Sequence, residues 1–262
     1  MQQSVKRLHL KNGVDLYNKT DKEEQTLLKY LTCCGIAGRR KLLSTILDGK
    51  ISVNGKIIRE SGYIVAANDV VHYEGLKTDK KKLIYFAFNK PVRVVTTLHD
   101  DRGRKTVADF FAGMSRLVPV GRLDYMSSGL LIMTNDGNLM HKLMHPRYEV
   151  QKEYDILIDK ILPNDIIGLL GRGIEIDGRK TAPCRVVVKN CIKNEGVGSM
   201  LISMTLHEGR NREIRKMMEH VHANVISLKR IRYKNIFLNN LPFGSYRELT
   251  KREVDGLREN LF

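Results

Sequence analysis

The residues best suited to chemistry lie in one unbroken stretch, Gly121-Arg122-Leu123-Asp124-Tyr125-Met126-Ser127-Ser128-Gly129-Leu130-Leu131-Ile132-Met133-Thr134-Asn135-Asp136-Gly137. Asp124 stands between glycine-bearing turns and ahead of an apolar run, which places a carboxylate at the entry to a strand. Arg122 is two residues away, and Ser127, Ser128 and Gly129 leave room for something large to approach the backbone. Such a carboxylate can attack an electrophile or take a proton when a neighbouring cation keeps it ionised. A lone loop aspartate more commonly caps a turn. Asp136, in Asn135-Asp136-Gly137, reads as such a cap leading into the next helix.

A second cluster is Gly209-Arg210-Asn211-Arg212-Glu213-Ile214-Arg215-Lys216. It puts four cations in seven residues on the first turns of a predicted helix, Arg210–Val221. Cations there oppose the positive helix end, so they need anions nearby. Ile214, Met217, Met218 and Val221 form the apolar side. Arg215, about 100° round from Ile214, can reach a cleft at the stripe's edge. The plain alternative is a solvated face. The third cluster is Lys152-Glu153-Tyr154, opening a strand. Tyr154 shares a face with Ile156 and Ile158, and on spacing alone it is a core tyrosine.

These groups need a scaffold, and 262 residues suffice for one large domain or two small ones with a real core. Hydrophobic residues make up 42% and charged residues 28%, as in a folded rather than a disordered chain. Lys and Arg number 45 against 29 Asp and Glu, a net charge of +16 that suits a polyanionic partner. No apolar run approaches the roughly 18–20 residues that span a bilayer. Met1-Gln2-Gln3-Ser4-Val5-Lys6-Arg7 lacks a signal-peptide core. Four cysteines without a Cys-x-x-Cys pair read as free thiols in a reducing cytosol. The expectation is a cytoplasmic monomer with no membrane association and no metal.

Residues 1–20 read as a loose extension. A helix begins at Asp21, lined by Leu27, Leu28 and Leu31 and ended by Gly35. A second carries Leu42, Leu43, Ile46 and Leu47 and stops at Gly49. Ile51-Ser52-Val53 and Ile57-Ile58 flank an Asn54-Gly55 hairpin turn, and Asp69–Tyr73 is a further strand. Residues 21–75 thus form a helix–helix–hairpin unit, and 76–82, rich in lysine, a linker. Beyond it, 83–88, 92–98, 130–134, 154–158, 186–188 and 201–206 read as strands. Helices are predicted over 106–111, 138–144 and 166–170, besides the one at Arg210–Val221. This is an α+β pattern with a mixed, mainly antiparallel sheet.

Arg39-Arg40-Lys41 lies between the first two helices. Cations there make sense if phosphates come to the helix start, where backbone N–H groups also point. A solvated charge run is the plain alternative. Leu27-Leu28-Lys29-Tyr30-Leu31, Cys34-Gly35-Ile36-Ala37-Gly38-Arg39-Arg40 and Gly49-Lys50-Ile51-Ser52-Val53-Asn54-Gly55-Lys56 together resemble an S4 RNA-binding domain. The family usually has Arg at the position of Thr26 and Ser at that of Gly38. These departures bear on phosphate and capping contacts rather than on the fold.

From about Leu83 to Tyr233 the chain resembles the RsuA/RluB/RluE/RluF class of pseudouridine synthases. The resemblance rests on Gly-Arg-Leu-Asp, Ser-Gly-Leu-Leu and Thr-Asn-Asp-Gly, then Lys-Glu-Tyr, then Gly-Arg-Asn-x-x-Ile-Arg. Asn89-Lys90-Pro91, Asp101-Arg102-Gly103-Arg104 and His145-Pro146-Arg147-Tyr148 agree with it. It implies a catalytic Asp124, a base-stacking Tyr154, an apolar Ile214 under the base and an Arg215 paired with the aspartate. It also implies an Arg122 that holds the flipped nucleotide. Arg210 and Arg212 are expected at the substrate. Arg39, Arg40, Lys41, Lys229, Arg230 and Arg232 are expected on the RNA surface. The family commonly has an acidic residue at Met126 and Thr at Ser127. The implied reaction is isomerisation of uridine to pseudouridine without a cofactor. The implied partner is ribosomal RNA in an assembly particle, with the C-terminal stretch Leu241–Thr250 most like large-subunit members. The other readings are small-subunit rRNA or tRNA as substrate, or an inactive ribosome-assembly protein.

Overall fold

Leu27, Leu28 and Leu31 form the buried side of helix α1 (Leu27–Cys33), and Leu42 and Ile46 that of α2 (Arg39–Leu47). The computed structural model describes residues 24–261 except 115, 195 and 196. The extension read over 1–20 and the helix start read at Asp21 lie outside the described residues. Within them α1 begins only at Leu27, because Gln25–Thr26 pair with Ile64–Val65 as a short strand. The Thr26 hydroxyl then caps the helix, accepting from the Lys29 N–H at 3.4 Å. Gly38 offers α2 no such side-chain cap.

Ile51–Val53 pairs with Lys56–Ile57 across the Asn54-Gly55 turn, where both residues take the positive φ of a tight hairpin. Val71–Tyr73 lies on its other side. Leu76–Lys77 then pairs with His72–Tyr73, so the first two residues read as linker belong to this small sheet. The buried Thr78 hydroxyl donates to the Val71 carbonyl and closes it. The apolar centre is shared by α1, α2 and the strands.

The rest of the chain is organised by a nine-stranded sheet. Its order is Arg185–Asn194, Val197–Leu206, Lys152–Ile158, Val225–Tyr233, Ser128–Thr134, Tyr85–Lys90, Tyr246–Glu248, with two short strands added at the side. Every pairing is antiparallel except that of Val225–Tyr233 with Ser128–Thr134. Helices α3 (Gly137–Met144), α4 (Asn164–Arg172), α5 (Glu213–His220) and α6 (Lys251–Arg258) complete it. One apolar core lies between α5 and the strands that carry Ile156, Ile202 and Leu228. A second lies under α3 and α6. A third gathers Phe88, Phe111, Leu123, Leu131 and Met133. Asp136 caps α3 as expected, accepting from the Leu139 N–H at 3.0 Å. No helix among the described residues is long and apolar enough to cross a membrane.

Several elements differ from the sequence reading. Residues 92–98 form no strand beyond a single bridge at Val95. Pro91 has no N–H to give, Arg93 turns with φ +60°, and the segment wraps around the Lys90 ammonium. The helix at 106–111 is a 3-10 turn, Ala108–Phe111. The strand read at 186–188 runs from Arg185 to Asn194 as one arm of a long hairpin. Helix α5 starts at Glu213, not Arg210, because Arg212 adopts a left-handed φ of 52° just before it.

Candidate active site

All seven residues of Ser128–Thr134 are buried, so the chain entering that strand is firmly anchored. Thr96 holds the entry: its hydroxyl donates to the Leu123 carbonyl at 2.7 Å, while the Leu123 N–H donates back at 3.3 Å. The Ser127 N–H closes a turn on the Asp124 carbonyl at 3.0 Å. Leu123 is buried, whereas Asp124 next to it is half-buried and Arg122 and Tyr125 are exposed or half-exposed. The backbone is fixed and the carboxylate is left at the surface of the core.

Two cores meet beside this turn. Tyr154 is half-buried and packs both against the core holding Leu123 and against the core holding Ile214. Ile214 is 4% exposed on α5. The next residue, Arg215, crosses to the aspartate turn and donates from Nη2 to the Met126 carbonyl at 3.0 Å. Asp124, Tyr154, Ile214 and Arg215 therefore come together from a turn, a strand and a helix. The expected direct pair of Arg215 with Asp124 is not closed. No described side chain hydrogen-bonds or ion-pairs with the Asp124 carboxylate, and Arg215 directs its donor to the backbone instead. Burial, and then the Arg212 charge, lower the Arg215 pKa, while the Asp124 charge works the other way.

The sequence reading missed a second cation near Asp124. Lys90 is fully buried, and its Nζ donates to the carbonyls of Pro91 and Val94, both at 2.9 Å. Burial lowers its pKa to about 8; the Asp124 charge opposes that shift and the Arg230 charge adds to it. The available signal is a lysine two residues past the apolar run Tyr85–Phe88, directly before a proline.

The expected RNA-facing cations divide. Arg39, Arg40 and Lys41 are exposed at the start of α2, and Arg212 is exposed before α5. Lys229 has its Nζ 5.3 Å from the centre of the Phe243 ring. Arg230 is not on the surface: it is 2% exposed, and its Nε donates to the Leu130 carbonyl at 2.7 Å. It alternates with Leu228 on the inward face of its strand, which is why it is buried. Arg232 is half-buried, and its Nε pairs with Glu153 Oε2 at 2.9 Å across the strands. Arg210 is engaged within the protein. Its guanidinium donates to the carbonyls of Ile176, Arg179 and Lys180 and ties the loop before α5 to the Glu175–Lys180 hairpin.

The sequence profile of the RNA pseudouridylate synthase family matches residues 84–220, which include all four of these site residues. The chain is 42% identical over 235 residues to the ribosomal large subunit pseudouridine synthase B of Bacillus subtilis, covering 89% of this chain and 96% of that protein. It is 35% identical over 231 residues to the dual-specificity RNA pseudouridine synthase RluF of Salmonella typhi, covering 87% of this chain and 76% of that protein. A crystal structure of a pseudouridylate synthase shares the fold, with a TM-score of 0.64 at 24% identity, over 88% of this chain and 99% of that one.

Proposed function

The chain belongs to the RNA pseudouridine synthase family, and from that premise we propose that it isomerises a uridine of large-subunit ribosomal RNA to pseudouridine. The observation that carries this reading is the junction of two cores at Tyr154, where the Asp124 turn meets Ile214 and Arg215. The relative named for the large ribosomal subunit supports the choice of RNA. The substrate is an assembling ribosomal particle in the cytoplasm, and the protein acts as a monomer.

The reaction breaks the C1′–N1 bond, turns the uracil and forms a C1′–C5 bond. N1 gains a proton and C5 loses one, so nothing is oxidised and no cofactor is called for. Asp124 is the catalytic group: its carboxylate attacks the nucleoside or takes a sugar proton. Arg215 and the buried Lys90 are the cations that interact electrostatically with that carboxylate. A uridine drawn out of its stack lies on Tyr154 with Ile214 beneath it, which offsets part of the unstacking cost. Arg122, beside Asp124, holds the nucleotide backbone. Replacing Arg215 with Met removes the donor to Met126 and a cation from the site. The expected result is a kcat lower by about 10²-fold, partly restored by Arg215→Lys. An unchanged kcat in single-turnover assays would remove Arg215 from the site.

The unit built on α1 and α2 serves as an S4-like RNA-binding domain, followed by a catalytic domain from about residue 83. Arg39, Arg40 and Lys41 are its phosphate contacts. Replacing Arg39 and Arg40 with Gln should weaken RNA binding and reduce the salt slope by about one unit for each phosphate no longer neutralised. An unchanged slope in a titration series would take α2 off the RNA surface. The function itself is tested by mapping pseudouridines in rRNA and tRNA from a strain lacking the gene. One large-subunit site should vanish and return with the wild-type gene. A complete large-subunit map, with the loss in small-subunit rRNA or tRNA, would reassign the substrate.

A further inference from the structure

Two carboxyls that the proposed chemistry does not use lie against each other behind Ile214 and Arg215. Glu213 is the first residue of α5 and is 4% exposed. Its Oε2 accepts the Arg210 N–H at 3.0 Å, but its buried Oε1 meets no donor. Glu208 is within hydrogen-bonding range of it, and Glu208 Oε1 accepts the Ala182 N–H at 2.7 Å. Two ionised carboxylates can only accept, so side by side they would repel with Oε1 unsatisfied. A single proton between them removes both difficulties.

We propose that Glu208 and Glu213 share one proton, and that this proton seats the first turn of α5, which makes Glu213 a positioning residue for Ile214 and Arg215. The inference rests on the site reading given above. The proton sits on Glu213 Oε1 and is donated to Glu208. When it is lost to solvent, two anions face each other at the loop that delivers Arg215.

The surroundings favour that assignment. Burial, then the hydrogen bond to Glu208, push the Glu213 carboxyl well above the usual range, while the Arg210 N–H opposes them. Burial would also raise Glu208, but the Ala182 N–H, the bond to Glu213 and the Arg210 and Arg179 charges leave it below its ordinary value. Lys152 faces the pair from the neighbouring strand, with Nζ on the His207 carbonyl at 3.2 Å. Burial and the Arg230 charge lower its pKa to about 8, and the two glutamates oppose this. Cys184 completes the surround; burial and then the same two carboxyls push its thiol up to about 11.

The folded protein therefore holds the Glu213 proton more tightly than the unfolded chain does. The stabilisation is complete below the ordinary carboxylate range and is lost as pH rises through about 7. The test uses the full chain and two readouts. Infrared spectra should show a protonated-carboxyl band below about pH 7 that disappears above it and is absent from Glu213→Gln. Across about two pH units centred there, kcat of the wild type should fall about tenfold relative to Glu213→Gln, whose amide donates to Glu208 at every pH. Glu208→Gln provides a second variant, in which the band should move to lower pH. A wild type with no such band, or an equal alkaline fall in wild type and Glu213→Gln, would overturn the proposal. The infrared band reports the proton whether or not Asp124 is catalytic, so failure of the site reading is seen separately.

Discussion

Gly129→Ala is expected to destabilise the fold by about 3–6 kcal/mol, from left-handed backbone strain plus a steric clash. Gly129 has φ +103°, and a Cβ there would stand 2.3 Å from the Arg230 carbonyl oxygen and 2.7 Å from the Arg230 nitrogen. Both are backbone atoms and neither can swing aside. The strands Ser128–Thr134 and Val225–Tyr233 are joined in parallel through only two residue pairs, Ser128 with Lys229 and Gly129 with Arg230. Separating them also strains the Arg230 bond to the Leu130 carbonyl and the turn that carries Asp124. In a domain of this size the loss corresponds to a melting temperature lower by roughly 10 °C. Gly137→Ala is the control, since a Cβ there meets nothing within 4 Å. Thermal or urea unfolding measures both. Equal stability of Gly129→Ala and wild type would mean that the two strands do not approach as described.

The parts legible in the sequence are those where local pattern and tertiary packing agree. Leu42 and Ile46 are one helical turn apart and both are buried, and Asn54-Gly55 makes the turn its composition demands. The run from Leu130 to Thr134 becomes a fully buried strand. Asp124, Tyr154, Ile214 and Arg215 stand in recognisable motifs, and the fold gathers them. What is not legible depends on distant contacts. Val92–Leu98 has the β-branched residues of a strand, yet a buried lysine and a proline curl it into a loop. Arg230 counts towards a basic surface on charge alone, although its spacing of two from Leu228 points inward. Arg210 and Arg212 precede the helix that periodicity assigns them to, because local periodicity does not reveal the left-handed turn at Arg212. A net charge of +16 measures attraction to RNA but does not say which cations are engaged inside the protein.

Asp124→Asn bears most directly on the central claim, that Asp124 is the group that performs the isomerisation. The substitution keeps the shape of the side chain and removes its charge. The carboxylate has no hydrogen-bond partner among the described side chains, so the native structure is little disturbed and the variant should fold and bind RNA as the wild type does. Its effect should appear in chemistry alone, on the order of 10⁴-fold or more in kcat, as for removal of other essential catalytic groups. The alternative is an aspartate that serves only its turn, whose removal would cost about 1 kcal/mol of stability. The measurement is pseudouridine formation under single-turnover conditions on a large-subunit RNA fragment, with the melting temperature and RNA affinity of the same preparation. No pseudouridine, with unchanged melting and binding, is the predicted result; pseudouridine formed at the wild-type rate by a protein that melts lower would contradict it.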